Sequence, residues 1–401
     1  MSKPLAGVKV VELATFVAGP SCARLLSDMG AEVIKIEHPN GDGWRQTSKS
    51  FIPGRFCDDE NPVFDIYNSG KQHISLNLKN PSGMAIMHKL LDQADVFLSN
   101  TRPAALQRLG LDYDTLKVKY PKLVYAMLLG YGEKGPDAAK PAFDTTAFWA
   151  RSGFLSDLPM AGEHYMPMQP PSSVGDTFTG YLLLAEIIAA LYRRNTTGTG
   201  DCVRAGLYHN AIFGMGTMAI VTQKPFGRTY PKTRLECGAP GGSYLCADGE
   251  WVFNSMAPAE KLFQLIGRTD LLADPKFGTG KGRYENMQEV YDLFCAAFRE
   301  KDSQEWVRKA EELDIPLVRM GHFSDLSEDE QAWANGYLEH VEFASGNVNV
   351  MPSSPIEMDS VGTVTTKTAH RVGEDTDAVL RNLGYTDEQI AQLHADGATS
   401  L

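Results

Sequence analysis

Residues 8–37, VKVVELATFVAGPSCARLLSDMGAEVIKIE, decide the fold class. Val8–Ala14 is a short, nearly continuous apolar run of the kind buried on both faces of a parallel sheet. The turn Thr15–Pro20 follows, then an amphipathic stretch, Ser21–Met29, which Gly30 stops. Glu32–Glu37 (EVIKIE) reads as a second strand. The unit is strand, helix, strand. Its first loop leaves the carboxyl end of a strand, where open α/β sheets bind ligands.

The same rhythm continues downstream. HISLNL (73–78), a helix Pro81–Gln93, the strand DVFLSN (95–100), helices Pro103–Leu109 and Asp114–Tyr120, and the strand LVYAMLL (123–129) follow in turn. The expected class is α/β, a doubly wound parallel sheet. From Gly130 to Gly175, Gly, Pro and isolated aromatics dominate, as in long loops that line a site. A helix then opens at Asp176 and ends near Arg193 and Arg194, ahead of Gly198 and Gly200. A strand, Cys202–Leu207, and a helix, His209–Thr222, come next. Lys224–Pro240 has linker composition. GGSYLCADGEWVFNSM (241–256) reads as two strands around the turn Asp248-Gly249, and helices near Glu260–Ile266 and Met287–Glu300 complete a small α+β unit. Short strands and a terminal helix, Asp387–His394, follow Pro316. The expected division is 1–222, 223–318 and 319–401.

Composition narrows the function. With 401 residues, 43% hydrophobic and 22% charged, the chain is ordinary globular protein. Lys and Arg number 38 against 50 Asp and Glu, a net charge of −12, which argues against a nucleic-acid or anionic-membrane binder. Six scattered cysteines (22, 57, 202, 237, 246, 295) without a C-x-x-C pair, and no signal-peptide pattern, give the expectation of a reduced, cytoplasmic protein. The longest apolar run, Leu182–Leu191, contains Glu186 and is shorter than a membrane span needs. No two of the nine His lie at i, i+4 and H-E-x-x-H is absent, so no metal is expected.

The first βαβ loop, Thr15–Pro20, lacks G-x-G-x-x-G, and G-x-x-x-x-G-K-[ST] is absent from the chain, so neither hydride transfer nor ATP-driven ligation has its usual handle there. Asp176, in PPSSVGDTFTG, is the candidate centre. As an Asp before an apolar helix it could be an N-cap and no more. Alternatively, the positive helix end would keep its carboxylate ionised, Gly175 and Gly180 would leave room for a substrate, and the carboxylate would attack an activated acyl carbon. Composition does not choose between these. Arg45, Lys71, Arg102, Arg108 and Lys140 fit solvated surface or, if several converge, a phosphate-bearing ligand. Phe143, Phe148 and Trp149 fit core or the wall of an apolar acyl pocket, and Gly241-Gly242 fits a plain turn or a lid.

Four stretches together carry a specific likeness: KPLAGVKVVELATFVAGPSCARLLSDMGAEVIKIE, NLKNPSGMAIMHKLLDQADVFLSN, LQRLGLDYDTLK and the GD-x-x-x-G at Asp176. They resemble the class III CoA-transferases, the formyl-CoA transferase or CaiB/BaiF family, nearly end to end. GYGEKGPD, FDTTAFWARSG and EDEQAWAN are shared with the phenyllactate and 2-hydroxyisocaproate CoA-transferases of anaerobes that ferment amino acids. The resemblance implies a Rossmann-like domain built from both chain ends, a smaller inserted domain, and an interlocked homodimer. It implies that Asp176 accepts the acyl group, that the Val17–Ala18 loop lies beside the thioester carbonyl, and that Asp144 is the acidic neighbour. Asn100 and Arg108 match CoA-contacting positions, His38 and Lys140 are further CoA candidates, and Gly241 and Gly242 resemble the glycine loop over the intermediate. Formyl-CoA transferases have Gln at Val17, Tyr at Phe143 and Arg at His38, so a bulkier, less polar acyl group is expected. The substrates implied are an acyl-CoA and a small carboxylic acid such as an (R)-2-hydroxyacid. No tightly bound cofactor is implied, and a 2-hydroxyacyl-CoA dehydratase is a functional partner. The 2-methylacyl-CoA racemases of the same family place a His base where this chain has Phe143, which cannot take a proton. A non-catalytic acyl-CoA-binding subunit is the remaining alternative.

Overall fold

The computed structural model describes residues 3–52, 60–158, 169–227 and 229–400. The chain divides into two compact units, Met1–Phe154 with Gln169–Ala219 and Asp329–Leu401, and Leu155–Met168 with Ile220–Glu328.

In the first unit, β1 (Lys9–Leu13), β2 (Glu32–Glu37), β3 (Gln72–Ser75), β4 (Val96–Ser99), β5 (Val124–Leu129) and β6 (Cys202–Gly206) form one sheet in the order β3-β2-β1-β4-β5-β6. Every neighbouring pair is parallel, and Val10 lies opposite both Val33 and Val96. All residues of β4 and β5 are buried, which is why they read as unbroken apolar runs. On one face, Val11, Ile36, Ile74, Phe97 and Tyr125 pack with helices Pro81–Leu91 and Pro103–Leu109 and with Thr376–Asn382 and Asp387–Ala395 from the far end of the chain. Helices Ala18–Asp28 and Val174–Thr197 cross on the other face. Gly180 permits their approach: a Cβ there would lie 2.2 Å from Ser21 Oγ and 2.9 Å from the Ala18 carbonyl oxygen.

The first unit draws on both chain ends, as the resemblance implied, but its sheet does not. All six strands precede residue 207, and the C-terminal segment contributes helices and a separate hairpin, Leu338–Glu342 with Val348–Pro352. It shields the β3 edge instead, with Asp375 accepting the His73 N–H at 2.7 Å and the Thr376 hydroxyl accepting the Ser75 N–H at 3.0 Å. The helix holding the apolar run also exceeds expectation. It spans Val174–Thr197, long and apolar enough to cross a membrane by length and composition. Its Leu183, Leu184, Ile187 and Leu191 are buried within this unit.

Charges occupy the core beneath the β1 loop. Lys35 on β2 is fully buried, 3.1 Å from Glu12 on β1 and 3.0 Å from Asp42. Lys71 is also fully buried, 2.8 Å from Glu12. Burial opposes ionisation of Glu12, but the two lysines hold its carboxyl below the usual range. Next to this lattice, Glu37 accepts from Arg45 at 2.7 and 2.9 Å and contacts His73 Nδ1 at 2.7 Å. Arg45 and Lys71 are therefore not solvated cations; each answers a buried carboxylate supplied by another strand.

The second unit has a three-stranded antiparallel sheet, Gly242–Leu245, Trp251–Asn254 and Leu317–Arg319. Its core centres on Tyr244, stacked on Phe298 at 4.8 Å, with Phe263, Phe294 and Trp306 around it. Cys22, Cys202, Cys237, Cys246 and Cys295 are free thiols, and Cys57 lies outside the described residues.

Removing Lys35 leaves Asp42 without its buried cation and Glu12 with Lys71 alone. Lys35→Met is expected to destabilise the protein by about 3–5 kcal/mol in urea denaturation. A loss below about 1 kcal/mol contradicts a structural role for the lattice.

Candidate active site

The strand order reverses direction between β1 and β4, and the loops leaving the carboxyl ends of β1, β4 and β5 converge there. They enclose a cleft of about 340 Å³ bordered by Thr15, Phe16, Ala18, Asn100, Arg102, Gly130, Lys140, Phe143 and Asp176. Among the sequence-derived candidates, the fold brings Ala18, Asn100, Lys140 and Asp176 to this cleft.

Asp176 is not an N-cap. The helix starts at Val174, after Ser173 in a left-handed conformation (φ 71°) whose side chain makes no capping bond, and Asp176 sits within the first turn. Its carboxylate is raised to about 7, by burial first and by repulsion from Asp144 second. The expectation that the helix end keeps it ionised is thus overturned. The N–H groups of Ser173, Gly175 and Asp176, with the Trp149 indole, favour the ionised form of Asp144 instead. Asp144 opens a π-helical segment, Asp144–Ala150, and is 5% exposed. Burial outweighs those donors and raises it to about 6. Two carboxyls thus share one poorly solvated corner, and the charge of Asp144 disfavours that of Asp176.

The glycine before Asp176 serves that corner. A Cβ on Gly175 would lie 2.3 Å from both Asp144 Oδ1 and Phe148 Cγ. Gly175 and Gly180 therefore admit protein atoms; neither opens a path for substrate.

Asn100 holds the β1 loop in place. Its Oδ1 accepts the Thr15 N–H at 3.0 Å and its Nδ2 donates to the Thr15 carbonyl at 2.7 Å. Val17 turns away: its side chain is buried with Trp44 and Phe64, so it does not line an acyl pocket. Phe16 stands there in its place. It has φ 62°, its N–H donates to Asp42 Oδ1 at 3.1 Å, and its ring meets Phe143 edge-on at 5.5 Å. No sequence signal marks this inversion, because a positive φ at phenylalanine follows from tertiary contacts. Phe143 is 55% exposed and borders the cleft, whereas Phe148 and Trp149 are buried, so the three aromatics divide between the two readings.

His38 and Arg108 are exposed and outside the cleft lining. His38 Nδ1 accepts the Asn40 N–H at 3.1 Å. Lys140 pairs with Asp137, and Arg102, weighed only as surface or phosphate contact, joins Lys140 at the cleft. In the second unit, Gly241 and Gly242 are pinned by Arg234, which donates to the carbonyls of Gly238 and Gly241 at 2.6 Å. A Cβ on Gly242 would lie 2.4 Å from that guanidinium. Among the described residues no three His, Cys, Asp or Glu side chains are grouped to hold a metal ion.

The family model described as CoA-transferase family III matches residues 5–376. (R)-2-hydroxy-4-methylpentanoate CoA-transferase of Clostridioides difficile is 39% identical over 391 residues, covering 96% of this chain and 97% of that protein. Cinnamoyl-CoA:phenyllactate CoA-transferase of Clostridium sporogenes is 40% identical over 402 residues, covering 97% of this chain and 96% of that protein. The crystal structure of a mutant of Rv3272 from Mycobacterium tuberculosis superposes with a TM-score of 0.81 at 26% identity, over 94% of this chain and 99% of that one. The chain belongs to CoA-transferase family III and is a CoA-transferase.

Proposed function

We propose that the enzyme moves CoA between an enoyl- or 2-hydroxyacyl-CoA and an (R)-2-hydroxyacid such as phenyllactate or 2-hydroxyisocaproate, with Asp176 as covalent carrier. The observation that supports this most is the place of Asp176: it borders the cleft at the switch point, and among the described residues no cation pairs with it. The names of the two relatives near 40% identity support the substrate class.

Asp176 attacks the thioester carbonyl, the C–S bond breaks, and a mixed anhydride and CoA thiolate result. The thiolate attacks the Asp176 acyl carbon, the donor acid leaves as carboxylate, and an aspartyl-CoA thioester remains. The acceptor carboxylate then attacks that thioester and displaces the thiolate, which in turn takes the acceptor acyl group and frees Asp176. One thioester replaces another without net proton uptake, so the exchange is near neutral in free energy and needs no ATP. Helix Ala18–Asp28 begins at the cleft, and its first-turn N–H groups suit the developing oxyanions. A carboxylate whose ionisation is disfavoured is the more reactive nucleophile when ionised, which gives the Asp144–Asp176 contact a catalytic use. Arg102 and Lys140 are the cleft cations suited to CoA phosphates. The absence of a histidine from the described cleft lining favours acyl transfer over two-base racemisation.

The interlocked homodimer belongs to the same proposal. Tyr192 and Phe213, 76% and 83% exposed, are apolar surface that a second copy would cover. A 2-hydroxyacyl-CoA dehydratase is the partner activity that would consume the product.

Asp176→Ala is expected to lower CoA exchange between cinnamoyl-CoA and phenyllactate by roughly 10⁴-fold or more, followed by chromatography of the thioesters. Loss of less than about tenfold contradicts the carrier role. Because the reacting form is the ionised one, kcat/KM should fall as pH drops through about 7, and Asp144→Asn, which removes one cause of the raised pKa, should move that limb to lower pH. An unmoved limb separates Asp144 from the nucleophile. The same shift governs stability. The folded state holds the proton above the unfolded value of 3.8, so the wild type loses stability as pH rises from about 4 through 7. Asp176→Asn should therefore gain about 1–2 kcal/mol at pH 8 over wild type, a gain absent near pH 3 in denaturant titrations.

A further inference from the structure

Phe16 is the one cleft residue that combines a strained backbone with a fixed side-chain direction. A φ of 62° at a bulky residue is strained and persists only where its surroundings impose it. Here they do so from both sides. Asp42 accepts the Phe16 N–H at 3.1 Å, and Asp42 is itself fixed by Lys35 at 3.0 Å and by its own N–H on Glu37 at 2.8 Å. On the other side Asn100 clasps both polar groups of Thr15. The result exchanges two neighbours: Val17 goes into the core with Trp44 and Phe64, and the Phe16 ring borders the cleft that holds Asp176. The ring has little freedom to leave. It lies 6.0 Å from Trp44 and edge-on to Phe143, and a Cβ on Gly43 would meet its Cζ at 3.4 Å.

We propose that Phe16, with Phe143, selects the acyl group, by presenting an apolar aromatic wall to the side chain of the acid whose carboxyl carbon reacts at Asp176. The class of acid recognised carries an aryl or branched aliphatic side chain; a one- or two-carbon acid leaves the rings unfilled. The inference rests on the transferase reading above and adds to it the residue that decides specificity, in the place where Val17 was expected to act.

Internal competition tests it. Phenyllactate and acetate at equal concentration compete for CoA from one donor, cinnamoyl-CoA, so the product ratio reports the ratio of kcat/KM whatever fraction of enzyme is active. Phe16→Gly, which also relieves the positive φ, should shift that ratio toward acetyl-CoA by roughly tenfold or more, and Phe16→Leu by less. Phe16→Tyr should stay near wild type. An unchanged ratio in Phe16→Gly overturns the assignment while leaving the transferase reading intact. Loss of transfer to both acids in Phe16→Gly and Phe16→Leu, with melting unchanged, overturns it too, because a selectivity residue spares the small acid. Wild-type enzyme that passes CoA to neither acid refutes the proposed substrate class, and the assignment falls with it.

Discussion

Beneath the mouth of the cleft lies a closed set of charges: Glu12 and Asp42 against Lys35 and Lys71, all buried. Such a set earns little net stability, because desolvation offsets most of the attraction, yet deleting one member exposes the rest to an apolar surrounding. Its value here is geometric. It ties β1 to β2, and through Lys71, which donates to the Pro20 carbonyl at 2.9 Å, to the start of helix Ala18–Asp28. Through Asp42 it also holds Phe16. The loop that edges the cleft is therefore anchored by ions that lie outside the cleft lining.

The opposite side of the cleft works by the reverse principle. Asp144 and Asp176 are brought together without an intervening cation, and Gly175 is the only residue type whose bulk lets Asp144 reach that close. One carboxyl cluster is neutralised for rigidity and the other is left unneutralised. In the proposed reaction that second cluster supplies a carboxylate reactive enough to open a thioester, and the anchored aromatic loop facing it supplies the surface for the acid's side chain.

Much of this was legible from periodicity. EVIKIE gave β2 over Glu32–Glu37 and the Pro103–Leu109 helix at its observed limits, because β-branched alternation and a Pro at the first helical position are local signals. The loop after β1 was also legible as a ligand-binding position, since it leaves the carboxyl end of a strand; that it lies at the switch point came only with the strand order. Three features escaped for physical reasons. Lys71 and Arg45 passed for surface because the fold alone brings them to their partners, Glu12 on β1 and Glu37 on β2. The electrostatics of Asp176 came out reversed because Asp144 is distant in sequence and occupies the helix end first. Phe16 and Val17 were transposed because a left-handed phenylalanine is imposed by Asp42. The short helix Pro62–Asn68, whose Phe64 lies under Arg45, was missed as well; its stability comes from tertiary packing.

The central claim is that the Asp176 carboxylate becomes, in turn, an anhydride and a thioester. It is tested most directly by incubating the enzyme with cinnamoyl-CoA, quenching with hydroxylamine, and mapping the modified residue by peptide mass spectrometry. The account predicts a hydroxamate on Asp176 that forms only when the acyl-CoA is present. A hydroxamate on another side chain, or an unmodified protein that still exchanges CoA under the same conditions, contradicts it.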